Sequence, residues 1–373
     1  MRPRQYFPLG KAYGKAFCNR VDETNKLMGN IKSGKHTFLV APRRYGKSSL
    51  CEKVIELADV PWSKLDFHLA INEKGVERSI INGITELIGK SIGSVEKLTT
   101  LIKKYAKKLK PKLNIATKIF SLELELSDDS TPGENIAEAM LILEKLLCER
   151  NKQAVIILDE FQEIGTMKEG KGIEGAIRHA AQEMSQLSLI FSGSNPHLLR
   201  AMFEDERRPL YKLCRKLILD RISEEHYKQH LNKAAKMMWD TELSDQTFER
   251  IMLLTERHPY YINYLCDELW SENTKIPSIT SVNHAWNKVI EEERSDLLKD
   301  FSSLSENQKK IMVYLSNYGG ENLYSDDAAK KMDMPASSIS RAVSTLIEKD
   351  YIEKTKTGYR LIVPAFKMLL IKN

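Results

Sequence analysis

The sequence has no apolar stretch that approaches the ~20 residues needed for a membrane-spanning helix. Its first residues, Met1 to Tyr6, lack the apolar segment of a secretory signal, so we expect a cytoplasmic protein without a membrane partner. The five cysteines are scattered and odd in number, and no two have the spacing of metal ligands. This pattern excludes a zinc site and predicts free thiols or small buried side chains.

The composition is that of a soluble globular protein, with 42% hydrophobic and 29% charged residues. A chain of 373 residues is too long for one ordinary core, so we expect two or three domains. The net charge of +6 permits an acidic partner without requiring one, because 51 acidic residues are interspersed with 57 basic residues.

The first two-thirds of the chain alternates short apolar segments with helical patterns, which predicts an α/β fold with a parallel sheet. Helical patterns at Glu77–Ile92 and Val95–Lys110 are followed by a predicted strand or hairpin at Asn114–Leu126. The strands lack polar alternation, as expected for strands buried on both faces. They are Thr37–Val40, Leu65–Ile71, Ala154–Leu158, Leu187–Phe191 and Leu217–Leu219.

From Ser223 onward the periodicity is helical, which predicts a separate helical subdomain. Ser223 and Ser244 are predicted helix N-caps, and Pro259 marks another helix start. Ser281 is predicted to cap a helix that continues past Trp286.

The last ~70 residues have the pattern of a winged helix-turn-helix, in which three helices precede a hairpin. The helices are predicted at Ser305–Asn317, Tyr324–Met332 and Pro335–Lys349, and the hairpin turns at Lys-Thr-Gly within Tyr351–Val363. The predicted domains are therefore residues 1–222, 223–300 and 301–373.

The segment Ala41-Pro-Arg-Arg-Tyr-Gly-Lys-Ser48 matches the phosphate-loop pattern, except that Ala41 replaces the first glycine. A predicted strand precedes it and a helical pattern follows, so the N–H groups of a helix N-terminus would face the phosphates. Gly46 allows close backbone approach, Lys47 places a cation beside the β- and γ-phosphates, and Ser48 ligates Mg²⁺. We expect ATP or ADP to contact Pro42, Arg43, Arg44, Tyr45, Gly46, Lys47, Ser48 and Ser49.

The predicted strand Ala154–Leu158 ends in two acids, Asp159 and Glu160. In a phosphate-loop protein Asp159 would hold Mg²⁺ through water, and Glu160 would polarise the attacking water. One more helical pattern and strand would place this strand end adjacent to the loop. A glutamate directly after the aspartate favours hydrolysis over binding alone.

The next predicted strand runs into Ser192-Gly-Ser-Asn195. A polar side chain here, with Asn195 as our candidate, can orient water between the two phosphate-binding strands. Alternatively, Ser194 or Asn195 caps the helix that begins at Pro196, and both roles can hold together.

Together these segments resemble the archaeal-type ATPase family of the AAA+/STAND P-loop NTPases. Phe17-Cys-Asn-Arg20-Val-Asp-Glu23 resembles the family's upstream Phe-x-Gly-Arg-x-x-Glu box, with asparagine in place of glycine. Arg207-Arg-Pro-Leu-Tyr211 resembles its Pro-Leu-Tyr segment, and His258-Pro259-Tyr-Tyr-Ile resembles its lid motif. The resemblance spans roughly residues 15–365.

The resemblance implies a five-stranded AAA+ core, a helical lid, a C-terminal winged helix and an adenine pocket near Arg20 and Pro259. Lys212-Leu213 replaces the Gly-Arg that usually follows the family's Pro-Leu-Tyr. The arginine finger can therefore be Arg207, Arg208 or Arg215, and we take Arg208 as the candidate.

Two groups of basic residues are compatible with DNA binding but do not require it. The predicted recognition helix and wing have small polar and basic side chains suited to a DNA groove, but residues 301–373 have 11 Lys and Arg against 8 Asp and Glu, a net charge of only +3. A separate lysine cluster is either the solvated face of an amphipathic helix or a contact to phosphates. The helix and wing residues are Ser337, Ser338, Ser340, Arg341, Ser344, Thr345, Lys354, Lys356 and Arg360; the cluster is Lys103, Lys104, Lys107, Lys108, Lys110 and Lys112.

These patterns predict an ATP-binding and ATP-hydrolysing switch that uses Mg²⁺. In one hypothesis its winged helix binds duplex DNA; in the other it binds a protein partner and turnover is slow. A homo-oligomer in which a neighbouring subunit donates an arginine is compatible with both. A scaffold that binds nucleotide without hydrolysis is disfavoured by Glu160.

Overall fold

A computed structural model describes residues 5–92, 110–116, 119–125, 130–272 and 274–371. The chain divides into two compact units. The sheet unit comprises Val21–Ala41 and Leu50–Leu219, and the helical unit comprises Met1–Arg20, Pro42–Ser49 and Asp220–Asn373. Every helix of the described residues is too short or too polar to cross a membrane.

The sheet unit contains the predicted parallel sheet, with five strands in the order β2–β5–β6–β1–β7. A separate antiparallel hairpin, β3–β4, confirms the strand or hairpin predicted at Asn114–Leu126. The strands are β1 (Thr37–Val40), β2 (Trp62–Asp66), β3 (Lys110–Ala116), β4 (Ile119–Glu125), β5 (Ala154–Asp159), β6 (Leu187–Ser192) and β7 (Arg215–Ile218).

Seven helices of the described residues accompany these strands, and the last five of them in chain order contribute side chains to a shared apolar core. Strands β5 and β6 are buried along almost their whole length, which explains their continuous apolar sequence. The helices are α1 (Val21–Lys32), α2 (Lys47–Ala58), α3 (Glu73–Ile92), α4 (Pro132–Arg150), α5 (Gln162–Thr166), α6 (Gly170–Gln182) and α7 (Pro196–Glu204).

One strand prediction in the sheet unit was wrong in position. The segment predicted as Leu65–Ile71 is β2 at Trp62–Asp66, followed by a 3-10 turn at Phe67–Leu69. The strand ends because the Asp66 carboxylate accepts a hydrogen bond from the His68 N–H and so caps the turn. The helix predicted at Val95–Lys110 and the side chains of the lysine cluster lie outside the described residues, apart from the backbone of β3.

The helical unit has one continuous apolar core, which extends from Tyr6 and Phe7 through the helical block to Phe366. Its elements confirm the predicted order of three helices and a hairpin at the C-terminal end. They are α8 (Glu224–Trp239), α9 (Asp245–Thr255), α10 (Pro259–Glu272), α11 (Ile279–Ser302), α12 (Glu306–Tyr318), α13 (Asp326–Met332), α14 (Ala336–Glu348), β8 (Ile352–Lys354), β9 (Tyr359–Leu361) and α15 (Ala365–Leu370).

The predicted caps Ser223 and Ser244 are confirmed, since each hydroxyl accepts an N–H from the first turn of its helix. The prediction that Ser281 caps α11 was wrong. Ser278 is the N-cap, and Ser281 is the third helical residue, whose hydroxyl oxygen accepts from the Ser278 N–H in a capping box. The domain boundaries near residues 222 and 300 stay predictions.

Candidate functional site

The predicted phosphate loop, here called the 42–49 loop (Pro42–Ser49), follows the carboxyl end of β1 and leads into α2. Two of its residues have left-handed backbone conformations, with φ of 62° at Arg44 and 88° at Gly46. The Lys47 Nζ donates to the Pro42 carbonyl oxygen at 3.1 Å. Helix α2 begins at Lys47, so the N–H groups of its first turn lack partners within the helix and can bind an anion.

The departures from the family pattern are compatible with the backbone. Asn19 stands where the family has glycine and has a φ of 53°, a left-handed conformation that asparagine tolerates better than most residues. Ala41, in place of the loop's first glycine, is 1% exposed and has a negative φ, so an L-residue fits without backbone strain.

The Tyr45 side chain is buried in the helical unit rather than exposed on the loop. Its hydroxyl accepts from Arg221 Nε at 2.9 Å and donates to Glu353 Oε1 at 3.1 Å. Burial raises the pKa of Tyr45, so the hydroxyl stays protonated and remains a donor. Its ring packs edge-on against His258 at 5.0 Å, and Arg20 donates to the Tyr45 carbonyl at 3.2 Å. Tyr45 thus fixes the middle of the loop.

Arg221 joins the 42–49 loop to two other parts of the helical unit. Its side chain is 1% exposed and donates to the backbone carbonyls of Glu256, Leu361 and Ile362 at 2.7, 3.2 and 3.0 Å. It also lies 3.0 Å from Glu353 Oε1. A buried guanidinium needs this many acceptors, so the loop, the end of α9 and the β8–β9 hairpin form one hydrogen-bond network.

A second contact ties the loop to residues of the predicted lid. The Arg44 guanidinium lies 4.0 Å from the centre of the Tyr260 ring and 3.5 Å from Glu293 Oε1. The hydroxyls of Tyr260 and Tyr261 donate to the two oxygens of Glu293 at 2.9 and 2.5 Å. Arg44 is therefore held by α10 and α11. Pro259 begins α10, whereas Arg43 is exposed.

In the sheet unit, Asp159 ends β5 and is paired with a lysine that the sequence pattern did not single out. Lys64, on the neighbouring strand β2, lies 2.6 Å from Asp159 Oδ2, and the Ser192 hydroxyl donates to Oδ1 at 2.6 Å. Burial opposes ionisation of Asp159, but Lys64 and Ser192 outweigh it and lower the pKa. Asp159 is therefore a carboxylate at neutral pH.

Glu160 has a left-handed backbone conformation, with a φ of 52°, which strains a residue with a Cβ. Its Oε2 accepts from Gln162 Nε2 at 2.6 Å and from the Ser194 hydroxyl and N–H at 2.7 and 3.1 Å. Burial opposes ionisation, but these donors lower the pKa of Glu160 below its ordinary value. Gln162 was not among the predicted site residues, because a glutamine two residues beyond a strand end carries no signal by itself.

The expectation that the Asp159 strand lies next to the loop strand was wrong. Strand β6 pairs with both β1 and β5 and so separates them. This order places the end of β6 between the two other strand ends, as the water-orienting hypothesis requires. The side chain that reaches Glu160 is Ser194, whereas Asn195 accepts from the Leu198 N–H and caps α7. The catalytic role of Asn195 stays a prediction.

The candidate finger Arg208 is paired within its own unit. Its guanidinium donates to Glu174, whose carboxyl is buried, and burial raises the pKa of Glu174 to about 7. Arg207 differs, because its side chain is 87% exposed and, among the residues that the structure describes, bonds Asp205 alone. Arg215 is exposed on β7.

On α14, the predicted recognition helix, one face packs in the core through Ile339, Val343 and Leu346. The other face is exposed and carries Ser337, Ser340, Arg341 and Ser344. Lys354 and Lys356 of the hairpin are exposed as well. Arg360 instead donates to Glu353 Oε1 at 2.7 Å, so it belongs to the network around Tyr45.

Comparison with solved structures identifies the fold. The Walker-type ATPase PABY2304 of Pyrococcus abyssi is similar with a TM-score of 0.67 and 15% identity, over 96% of this chain and 97% of that one. The chain has the fold of an AAA+ P-loop ATPase. The ORC2 protein of Aeropyrum pernix, solved as ADPNP–ADP complexes, is similar with a TM-score of 0.56 and 14% identity, over 94% and 92% of the two chains. No protein-family model and no curated protein matches the sequence.

Proposed function

We propose that this protein is an ATP-driven switch that binds ATP at the 42–49 loop, hydrolyses it, and transmits the nucleotide state to its C-terminal helices and hairpin. The observation that carries this proposal is the burial of Tyr45 between Arg221 and Glu353. A loop that bound nucleotide alone would not need a side chain anchored on a hairpin 308 residues away in sequence.

Nucleotide binding is assigned to Lys47 and to the N–H groups that begin α2. Release of Lys47 from the Pro42 carbonyl makes its ammonium available to the β- and γ-phosphates. Arg20 and Pro259 are assigned to the adenine pocket. The ADPNP and ADP in the similar A. pernix ORC2 protein support an adenine nucleotide as the ligand.

The donors at Ser48 and Asp159 fit Mg²⁺, which prefers hydroxyl, carboxylate and water oxygens. Asp159 is ionised and already balances a cation, the ammonium of Lys64. When bound, Mg²⁺ would neutralise charge on the phosphates. The protein residues would hold it through the Ser48 hydroxyl and, by way of water, the Asp159 carboxylate.

Hydrolysis is assigned to Glu160. Its carboxylate accepts a proton from water as the water oxygen bonds to the γ-phosphorus, and the bond from that phosphorus to the bridging oxygen breaks to release ADP. Lys47 neutralises charge that develops on the phosphates. An arginine from a neighbouring subunit would complete the site. Arg208 was the candidate from sequence, but the exposed guanidinium of Arg207 is freer to reach a second subunit.

The switch is tested by amide hydrogen exchange of residues 351–363 with and without MgATP. Phosphates compete for Arg44 and Lys47, which flank Tyr45, so binding should pull Tyr45 away from Arg221 and Glu353. We expect ATP to accelerate exchange in the hairpin by about 5-fold or more, within the range of ordinary coupling energies.

The variant Tyr45→Phe keeps the ring but removes the hydroxyl that joins Arg221 to Glu353. It should bind ATP while its hairpin no longer responds. Tyr324→Phe is the matched control, because within the described part of the chain the Tyr324 hydroxyl bonds Tyr359 alone, at 3.5 Å. If hydrogen exchange in the wild-type hairpin does not change when ATP binds, the switch is refuted. If the protein does not bind ATP, the nucleotide site is refuted.

DNA is the partner we assign to α14 and the hairpin, taken as a winged helix. The serine-rich exposed face of α14 and the exposed Lys354 and Lys356 support this choice. The ATPase rate with and without duplex DNA, at two salt concentrations, separates the hypotheses. Stimulation that declines with salt supports DNA, whereas an unchanged rate favours a protein partner.

A further inference from the structure

The carboxylate of Glu160 is held through only one of its two oxygens. All three side-chain hydrogen bonds, from Gln162 Nε2 and from the Ser194 hydroxyl and N–H, end on Oε2. Oε1 accepts none from the described residues. A carboxylate fixed in this way can accept a water proton in only one direction, because its rotation is blocked by the three donors.

Gln162 makes the shortest of these contacts and is itself held in place. Its side chain is 3% exposed, and its Nε2 also lies 3.3 Å from Glu163 Oε1. The opposite amide atom, Oε1, packs against Gly193, where a methyl group on residue 193 would collide with it. Gly193 therefore provides the space in which the Gln162 amide lies.

The position of the Gln162 amide lowers the stability of the folded state, and a purely structural role would not explain that loss. The Gln162 Oε1 is buried and has no hydrogen-bond partner among the described residues. An orphaned buried amide oxygen destabilises the folded state, and an apolar side chain of similar size would avoid that loss. A polar residue in such a position has its use in the groups that it does bond, and the shorter of its two bonds, at 2.6 Å against 3.3 Å, ends on Glu160.

We propose that Gln162 is a positioning residue for hydrolysis, which turns the Oε1 of Glu160 toward the attacking water, and that Gly193 is required to admit it. This inference rests on the proposed role of Glu160 in ATP hydrolysis. Ser194 supplies the other two donors, so the loss of Gln162 leaves Glu160 in place but free to rotate.

The test measures kcat for ATP hydrolysis, and the Kd of a fluorescent ATP analogue, for Gln162→Ala, Gly193→Ala and the double variant. Each single variant should lower kcat by about 10- to 100-fold, the range for a misplaced catalytic group. The Kd should stay within about 2-fold, since neither residue belongs to the nucleotide-binding loop. The added methyl at position 193 meets the amide end of the Gln162 side chain rather than backbone, so the fold tolerates it.

The double variant distinguishes positioning from damage to the fold. Once Gln162 is alanine, the added methyl at position 193 has nothing to displace, so the double variant should match Gln162→Ala alone. Gln182→Ala, the same substitution at an exposed glutamine at the end of α6, is the control and should keep wild-type kcat. Unchanged or faster turnover of Gln162→Ala, or a double variant whose losses multiply, would overturn the proposal. If the wild type binds or hydrolyses no ATP, the proposed function itself has failed.

Discussion

Lys47, Asp159 and Glu160 differ in the groups that they contact, and these contacts suit different tasks. Lys47 donates to the Pro42 carbonyl oxygen in the loop, Asp159 is paired with Lys64, and the Glu160 carboxylate accepts from three donors. The pKa values of Asp159 and Glu160 are lowered by these contacts, so both acids are carboxylates at neutral pH. These residues should show separable effects on binding and on turnover.

Lys47→Ala should abolish nucleotide binding while the protein stays folded. The loss removes the cation assigned to the β- and γ-phosphates, whereas the loop backbone is still held by Tyr45 and Arg20. Equilibrium titration with a fluorescent ATP analogue measures this. Lys53→Ala in the same helix α2, where the lysine forms an ion pair with Glu56, is the control. Wild-type affinity in Lys47→Ala would remove the phosphate-loop assignment.

Glu160→Gln should bind ATP and trap the bound state. The amide preserves the shape of the side chain but cannot accept a proton from water as a carboxylate does. We expect turnover to fall by at least ~100-fold, the usual scale for the loss of a general base. Single-turnover hydrolysis of labelled ATP is the measurement. Hydrolysis at the parent rate would mean that another group activates the water.

At the scale of elements, helix α4 is joined to the start of β6 by one carboxylate. Glu144 Oε1 and Oε2 accept from the N–H groups of Ser185 and Leu187 at 2.8 and 2.9 Å, and the Gln186 N–H lies between them. The Glu144 carboxylate thus satisfies the backbone N–H groups at the start of β6. Burial opposes ionisation, but the backbone donors lower the pKa of Glu144.

Glu144→Gln should therefore destabilise the protein at pH 7 by about 1.5–3 kcal/mol, the range for hydrogen bonds to a charged group. The sign follows from linkage: a carboxyl with a lowered folded pKa stabilises above its ordinary value of 4.5 and loses that contribution as pH falls. The difference in urea midpoint between wild type and variant should thus shrink at pH 4. Glu183→Gln, at an exposed carboxyl, should show no such difference at either pH.

At the scale of the whole molecule, DNA binding would show itself in the salt dependence of affinity. Neutralised phosphates release counterions, so affinity for duplex DNA should fall steeply with salt. Arg341→Ala should weaken binding with relaxed sequence preference, and Lys354→Ala and Lys356→Ala should weaken it uniformly. Anisotropy titration on random duplex at low salt is the measurement. No binding at micromolar protein, with and without ATP, would leave the protein-partner hypothesis.

The sequence by itself determined the features that depend on neighbouring residues. Strand β1, the 42–49 loop and α2 follow one another in the chain, and Asp159 and Glu160 directly follow an apolar strand. Serine caps were found for the same reason, since a cap bonds N–H groups three residues away. Local signals failed where two serines competed, as at Ser278 and Ser281.

Only the tertiary structure decided which distant residues meet. Apolar periodicity tells which face of an element is buried, but not which element covers it. The order that puts β6 between β1 and β5, the pairing of Lys64 with Asp159, and the contact of Tyr45 with Glu353 are therefore invisible in the sequence. The contact of Gln162 with Glu160 was not predicted, because it depends on the left-handed backbone at Glu160 and on the space beside Gly193. Both features arise only when the strands pack.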